Sequence, residues 1–475
     1  MIIGFEEDQN FGFHSKIQQG ESMKQMAAES LGRFVHRLSY NALPKEVVEK
    51  AKTCMINGIG IGISCHDVEY GKIARRIVVA EEKGIRKERS ATLFCDGSKV
   101  SVMGAAFANT TLFHARTQED TIGSSHAGTV TIPTALAIGE REGNSGKEVI
   151  TAIVAGYEVT GVLDRMASPY TTPRGLRPSS LFGIFGSVSA ASKLFKLSEE
   201  EIINAIAFAA AFAGGTAECF VAGTTEWRYQ VGVASREGIL ASLIAKNGGR
   251  GALSAIEGKS GFLAAFANSA ECASEIGKDL GRRWEIIRTG FKPYPICFFN
   301  QTPVIAMLDL VKQHRIGFEE IKRIKIRVNP YEYQYPGMNY RGPFTTIGAA
   351  LMSTPFCLAA ACVDRELTLK GIGQFDNPQI LNLIDRIDKV PDEKIPGLSC
   401  FVEVETKRGK RFTKEMVVPA DYYNFDMNQV IELIRRVTGE TAVDPGKVDK
   451  MVSMVKDFHK AENVKRLTAL LAQCP

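Results

Sequence analysis

The chain has no long hydrophobic run, no cysteine pair at metal-binding spacing and no extended basic block. No stretch approaches the roughly 18 consecutive apolar residues that a membrane-crossing helix needs. The ten cysteines are scattered and none forms a C-x-x-C pair. They read as reduced, mostly core cysteines of a cytoplasmic protein, and no zinc-type metal site is expected. The densest basic run is Lys407-Arg408-Gly409-Lys410-Arg411, and the net charge of +5 is spread along 475 residues. That excludes a nucleic-acid footprint and leaves at most a weak attraction for a small anion. The first residues, Met1 to Asp8, carry neither a basic segment nor an apolar core, so no secretory signal is expected there. What remains is an ordinary soluble globular composition, 45% hydrophobic and 23% charged, long enough for two domains.

From about Ser22 to Ala270 the pattern is helical. Small side chains fill the helix interiors, as in Ile202 to Phe212, a run apolar nearly all round and therefore expected to be buried on every side. Start signals recur: Leu43-Pro44-Lys45-Glu46, Asn144-Ser145-Gly146-Lys147-Glu148, and Ser198-Glu199-Glu200-Glu201 with Ser198 as N-cap. After residue 275 the texture changes. Ile321-Lys322-Arg323-Ile324-Lys325-Ile326-Arg327-Val328 alternates as a half-buried strand does. Phe401 to Thr406 followed by Lys407-Arg408-Gly409-Lys410 and Arg411-Phe412-Thr413 predicts a hairpin, and Thr302 to Lys312 a helix before the first strand. Helix returns between about Asn428 and Gln473. The predicted class is mainly α: a large all-helical domain with a smaller α+β lid domain.

Chemistry concentrates in one place. Phe113-His114-Ala115-Arg116-Thr117-Gln118-Glu119-Asp120-Thr121, followed five residues later by His126, holds two of the seven histidines beside two acids. A loop of this kind between packed helices can hold a carboxylate-bearing substrate and move a proton. A second candidate is Phe291-Lys292-Pro293-Tyr294-Pro295, where two prolines stiffen the segment that presents Lys292. A lysine fixed in this way binds a carboxylate or, when desolvated, works as an acid or base. Arg177 precedes Pro178-Ser179-Ser180 at a helix start, and Arg228 and Arg341 stand at two further helix entrances. Two apparent nucleotide motifs fail. Gly58-Ile59-Gly60-Ile61-Gly62 lies inside a helical pattern, so close helix packing explains it better, and Gly258-Lys259-Ser260 has Leu253 where a P-loop needs glycine.

Taken in order along the chain, these segments resemble the MmgE/PrpD family, whose members include 2-methylcitrate dehydratase, cis-aconitate decarboxylase and iminodisuccinate epimerase. The resemblance spans about Leu38 to Val418. Leu43 to Lys52 is similar to the family's first long helix, His114 to Thr121 to its HALDFDDT segment, and His126 to the histidine that follows. Gly183 to Leu194 and Lys292 to Cys297 fit as well. The resemblance implies a helical domain of residues 22–274 plus 420–475, a lid of residues 275–419, and an active site in the cleft between them. It also implies a homodimer and no metal or organic cofactor. Four positions depart from the family pattern: Thr117 replaces an acid, Arg177 a histidine, Trp227 a lysine, and Phe356 stands near a tyrosine that some members use. These changes remove proton donors and add fixed positive charge.

The resulting expectation is a cofactor-independent lyase of the dehydratase type, acting on a small di- or tricarboxylic acid. Arg177, Arg228 and Arg341 would clamp substrate carboxylates, with His114, Glu119 and Thr121 nearby. His126 and Lys292 would serve as base and acid, and Asp120 would orient His126 or bind a substrate hydroxyl. An epimerase or isomerase of a succinate-like acid is the alternative, and a catalytically decayed carboxylate-binding homologue is the third reading.

Overall fold

A computed structural model describes residues 26–82 and 84–473; residues 22–25 of the expected helical domain and the Met1–Asp8 segment lie outside them. The molecule is mainly helical, with a smaller α+β unit.

The helical unit is built by close approach. In the helix Lys45–Ser64, a Cβ at Gly60 would lie 2.4 Å from Ile434 Cγ2, and one at Gly62 would lie 2.4 Å from Phe113 Cδ1. The alternate glycines therefore admit neighbouring helices, as the sequence indicates, and cradle no dinucleotide. The helix Gly146–Thr171 runs through the middle of the unit and starts with a capping box between Ser145 and Glu148. Ser198 caps Glu199–Phe212 in the same way. Burial on every side fails for that helix. Its last residues, Ala211 and Phe212, are exposed because the helix end emerges at the surface. A short antiparallel pair, β1 (Ser90–Thr92) and β2 (Lys99–Ser101), lies on the helical unit. Cys95, between these strands, is disulfide-bonded, so the expectation of uniformly reduced cysteines does not hold there.

The smaller unit carries a four-stranded sheet of β3 (Ile321–Val328), β4 (Ile387–Pro391), β5 (Cys400–Thr406) and β6 (Arg411–Met416). The spatial order is β4-β3-β5-β6, with β3 and β4 parallel and the other pairs antiparallel. From Ile324 onward the alternation in β3 is realised, with Ile324, Ile326 and Val328 pointing into the core; a register shift between Ile321 and Arg323 brings Ile321 inward as well. The helices Gln301–Gln313 and Thr354–Asp364 cover that face. Two hydrophobic cores result, one in each unit, and Trp227 and Cys219 of the helical unit reach into the second. Chain segments stitch the units together: Phe291 N donates to Tyr423 O at 2.8 Å, and Thr121 and Gly290 exchange both backbone hydrogen bonds at 2.9 Å. Among the described residues, no helix is long and apolar enough to cross a membrane.

Candidate active site

The buried helix Val102–Phe113 ends at His114, and His126 starts the next buried helix, Ala127–Glu142. The histidine-acid cluster is thus the connection between two packed helices. Its path is unusual at Thr117, whose φ of 60° is left-handed. A β-branched residue rarely adopts that conformation, and holding it there costs about 1–3 kcal/mol. The twist turns the Thr117 carbonyl toward Lys292, whose Nζ donates to it at 3.0 Å. Gly290 holds Thr121 by the reciprocal bonds already described, so Lys292 and His126 approach each other from two backbones in fixed register.

Glu119 is the electrostatic centre. Its Oε1 lies 2.8 Å from His114 Nδ1 and 3.6 Å from both His126 Nε2 and Lys292 Nζ. The His114 contact is off the axis of a good hydrogen bond, so it acts as a close polar contact rather than a well-directed one. Glu119 is 1% exposed, and burial alone would raise its proton affinity. Lys292, then His114 and His126, outweigh that and hold the carboxyl well below the usual carboxylate range. Arg177 Nη2 donates to His114 Nε2, which leaves the proton of neutral His114 on Nδ1, facing Glu119. Burial pulls the His114 pKa down to about 4, helped by Arg177 and Lys292, so the ring is uncharged near neutrality. The order is Arg177 cation, neutral His114, Glu119 anion, Lys292 cation.

His126 is fixed by its other nitrogen. Its Nδ1 donates to the Asp120 carbonyl at 2.9 Å and lies 3.1 Å from Thr121 Oγ1. That bond places the free lone pair on Nε2, 3.5 Å from Lys292 Nζ. Burial, and then Lys292, hold the ring well below its ordinary pKa, so Nε2 is an unprotonated base. Beside it is a cavity of about 80 Å³, several times the space that one buried water requires. His114, Thr117, Thr121, His126, Arg177 and Lys292 line one side; Phe220, Trp227, Phe298, Phe299, Leu351 and Met352 form an apolar wall.

Not every expected residue meets there. Asp120 contributes its backbone carbonyl to His126, but its carboxylate is buried away from the cavity. It accepts from the Tyr157 hydroxyl and, at 3.2 Å, from Gly128 N. Arg228 is fully buried outside the cavity lining, its guanidinium between the rings of Tyr70 and Trp227 at 3.9 and 3.8 Å. It follows Trp227 directly on a helix, and only Trp227 faces the cavity. Arg341 is exposed and holds the carbonyls of Ile384 and Ile387, which ties a helix end to β4. Arg228 and Arg341 are therefore not placed to clamp a substrate in this cavity. Phe356 is fully buried in the second core, 4.7 Å from the Phe344 ring.

Tyr335 is the residue that sequence reasoning missed. It lines the cavity, packed edge-on against Phe299 with ring centroids 5.0 Å apart. Burial raises its pKa, so its hydroxyl keeps its proton. The run Tyr331-Glu332-Tyr333-Gln334-Tyr335 was a signal, but three tyrosines at alternate positions do not say which one faces inward. Among the described residues, no group of His, Cys, Asp and Glu is placed to hold a metal ion.

A model of the MmgE/PrpD N-terminal domain matches residues 29–275, and one of the C-terminal domain matches residues 294–435. The chain belongs to the MmgE/PrpD family. It is similar to human cis-aconitate decarboxylase, 24% identical over 94% of this chain and 95% of the relative. The cis-aconitate decarboxylase of Aspergillus terreus is 22% identical over 97% of this chain and 99% of its own. The mouse enzyme is 24% identical over 94% of each chain. Within this MmgE/PrpD chain the departures at Thr117, Arg177 and Trp227 all fall on the cavity wall, whereas Phe356 does not.

Proposed function

We propose that the chain is a lyase that acts on a small di- or tricarboxylic acid by moving a proton at a carbon next to a carboxylate. The pairing of His126 and Lys292 supports this most: an unprotonated Nε2 lies 3.5 Å from a lysine ammonium in a buried site. Arg177 and Lys292 would hold substrate carboxylates and stabilise the charge that builds up when the proton leaves. In dehydration His126 Nε2 takes the C–H proton, and the electron pair forms the double bond as the β-hydroxyl departs. Lys292 gives that hydroxyl a proton to release water, and a proton passing from His126 to Lys292 restores both groups. Tyr335 adds a phenolic hydroxyl to the lining of the same cavity.

Decarboxylation is the second reading. It is favoured by the apolar wall of Phe220, Trp227, Phe298, Leu351 and Met352, which penalises a carboxylate more than the neutral CO2 it becomes. The names of the relatives point the same way. Here the C–C bond breaks, CO2 leaves, and the electron pair left on carbon takes a proton from Lys292.

The test is proton NMR in D2O with citrate, 2-methylcitrate, cis-aconitate, malate and iminodisuccinate, with released CO2 trapped in parallel. A new alkene signal without CO2 identifies dehydration; CO2 release identifies decarboxylation. C–H exchange with neither product identifies an epimerase. His126→Ala and Lys292→Ala should each lower the rate by about 10²–10⁴-fold. Tight binding of these acids with no turnover and no exchange would sink the lyase reading.

A further inference from the structure

Between Thr121 and His126 the chain makes one tight turn. Ile122 N donates to Ser125 O at 2.8 Å, and Ser125 N to Ile122 O at 3.0 Å. Gly123 takes a φ of 57°, and both Gly123 and Ser124 line the cavity. The outward side of the turn presents two donors, the Ser124 amide and the Ser125 hydroxyl. One side chain takes both. Asp164, from the central helix Gly146–Thr171, accepts Ser124 N at 3.1 Å on Oδ2 and 3.3 Å on Oδ1, and Ser125 Oγ at 2.6 Å on Oδ1. Among the described residues, no other side chain hydrogen-bonds residues 122–125.

The fit leaves no slack. A Cβ at Gly123 would lie 2.0 Å from Asp164 Oδ2, so the turn backbone rests on the carboxylate itself. Asp164 is 2% exposed. The residue directly after the turn is His126, whose Nδ1 is tied to Asp120 O and whose backbone N donates to Ser179 Oγ at 3.3 Å. A shift of the turn therefore moves the imidazole relative to Lys292, which is anchored on the other backbone.

We propose that Asp164 is a positioning residue: its ionised carboxylate locks the 122–125 turn and so aims His126 Nε2 at the cavity. The proposal rests on the reading of His126 as the base. Protonation converts one carboxylate oxygen into a donor, and the two serine donors then compete for what is left. Burial pushes the Asp164 pKa up to about 6, against the hydrogen bonds from Ser125 and Ser124. The charged groups facing it are Arg288, which favours ionisation, and Glu285, which opposes it; Tyr331 lies nearby. Arg288 is itself paired with Glu285 at 2.8 Å, which limits its help.

The experiment is NMR of histidine-labelled full-length protein, with the His126 ring signal assigned by its loss in His126→Gln. The wild-type ring signal should shift with an inflection near pH 6. Asp164→Asn, whose amide imitates the protonated acid, should abolish that inflection. Ser125→Ala, which removes a bond that favours ionisation, should move it to higher pH. Where the substrate panel gives turnover, Asp164→Asn should lower kcat by up to about 100-fold with KM nearly unchanged. An inflection that persists in Asp164→Asn belongs to another acid, such as Asp120, and overturns the proposal. The ring signal needs no substrate, so failure of the lyase reading and failure of this one are separable.

Discussion

Replacing Glu119 by Gln keeps the shape of the side chain and removes the one negative charge that Lys292, His114 and His126 share. At 3.6 Å from the Lys292 ammonium, the attraction is about 4–5 kcal/mol at an effective dielectric of about 20. Lys292 is 1% exposed and cannot recover that loss from water. Breaking a buried pair from one side costs about 3–5 kcal/mol, so Glu119→Gln should destabilise the fold by that amount near neutral pH. Denaturant unfolding of the wild type, Glu119→Gln, Lys292→Met and the double variant measures it. Each single change strands one member of the Glu119–Lys292 pair, whereas the double change removes both members. The double variant should therefore lose clearly less than the sum of the two single changes, with a coupling of about 2 kcal/mol or more. The sign with pH is also fixed. A carboxyl held below its ordinary value of 4.5 contributes stability that is present above that pH and lost as the pH falls through its lower folded value. Glu119→Gln should lose that acid slope. Strict additivity of the two single changes would refute the idea that Glu119 and Lys292 form a coupled buried pair.

Three further outcomes are expected. His114 stays neutral down to about pH 4 in the folded chain against 6.5 ordinarily, so stability should fall as pH drops from 6.5 toward 4; thermal melts of His114→Asn should show a shallower decline across that window. Gly60→Ala should cost about 1–3 kcal/mol in a denaturation midpoint, because the new Cβ meets three atoms of buried Ile434 within 2.9 Å; an unchanged midpoint would mean that the helices separate freely. Thr117→Gly should leave the fold as stable as wild type or about 1 kcal/mol more stable, since glycine accepts the left-handed backbone without strain, whereas a clear loss of stability would show that the Thr117 side chain supports the turn.

Much of the fold was legible because its signals are local. Alternation in Ile324 to Val328, the Ser198 cap and the glycines of Lys45–Ser64 each report their own element, and each formed as the residues indicated; the register shift at the start of β3 left no such mark. The site was legible where it is contiguous: His114 to His126 is one connection, and Lys292, just ahead of Pro293-Tyr294-Pro295, stands out beside it. The arginines were harder to place. Arg228 and Trp227 are adjacent, but successive helix positions point in different directions, and the cavity took the tryptophan. Arg341 looks like a carboxylate clamp in sequence, yet two backbone carbonyls occupy it. Asp120 shows a related limit. Its backbone serves His126 while its carboxylate turns to Tyr157, and a sequence does not say which half of a residue does the work.

The backbone bridge between Thr121 and Gly290 gives the site a hard ruler. Because main-chain atoms make both of its bonds, exchanging a wall side chain removes neither of them, and the pairing of the two segments that carry His126 and Lys292 keeps its register. An insertion or deletion between Thr121 and His126, or between Gly290 and Lys292, is different: it displaces one partner by a whole residue, about the full length of the 3.5 Å contact between His126 Nε2 and Lys292 Nζ. Diversification of this chain is thus channelled into exchanging wall residues such as Thr117, Arg177, Trp227 and Tyr335, with the lengths of those two short segments held constant.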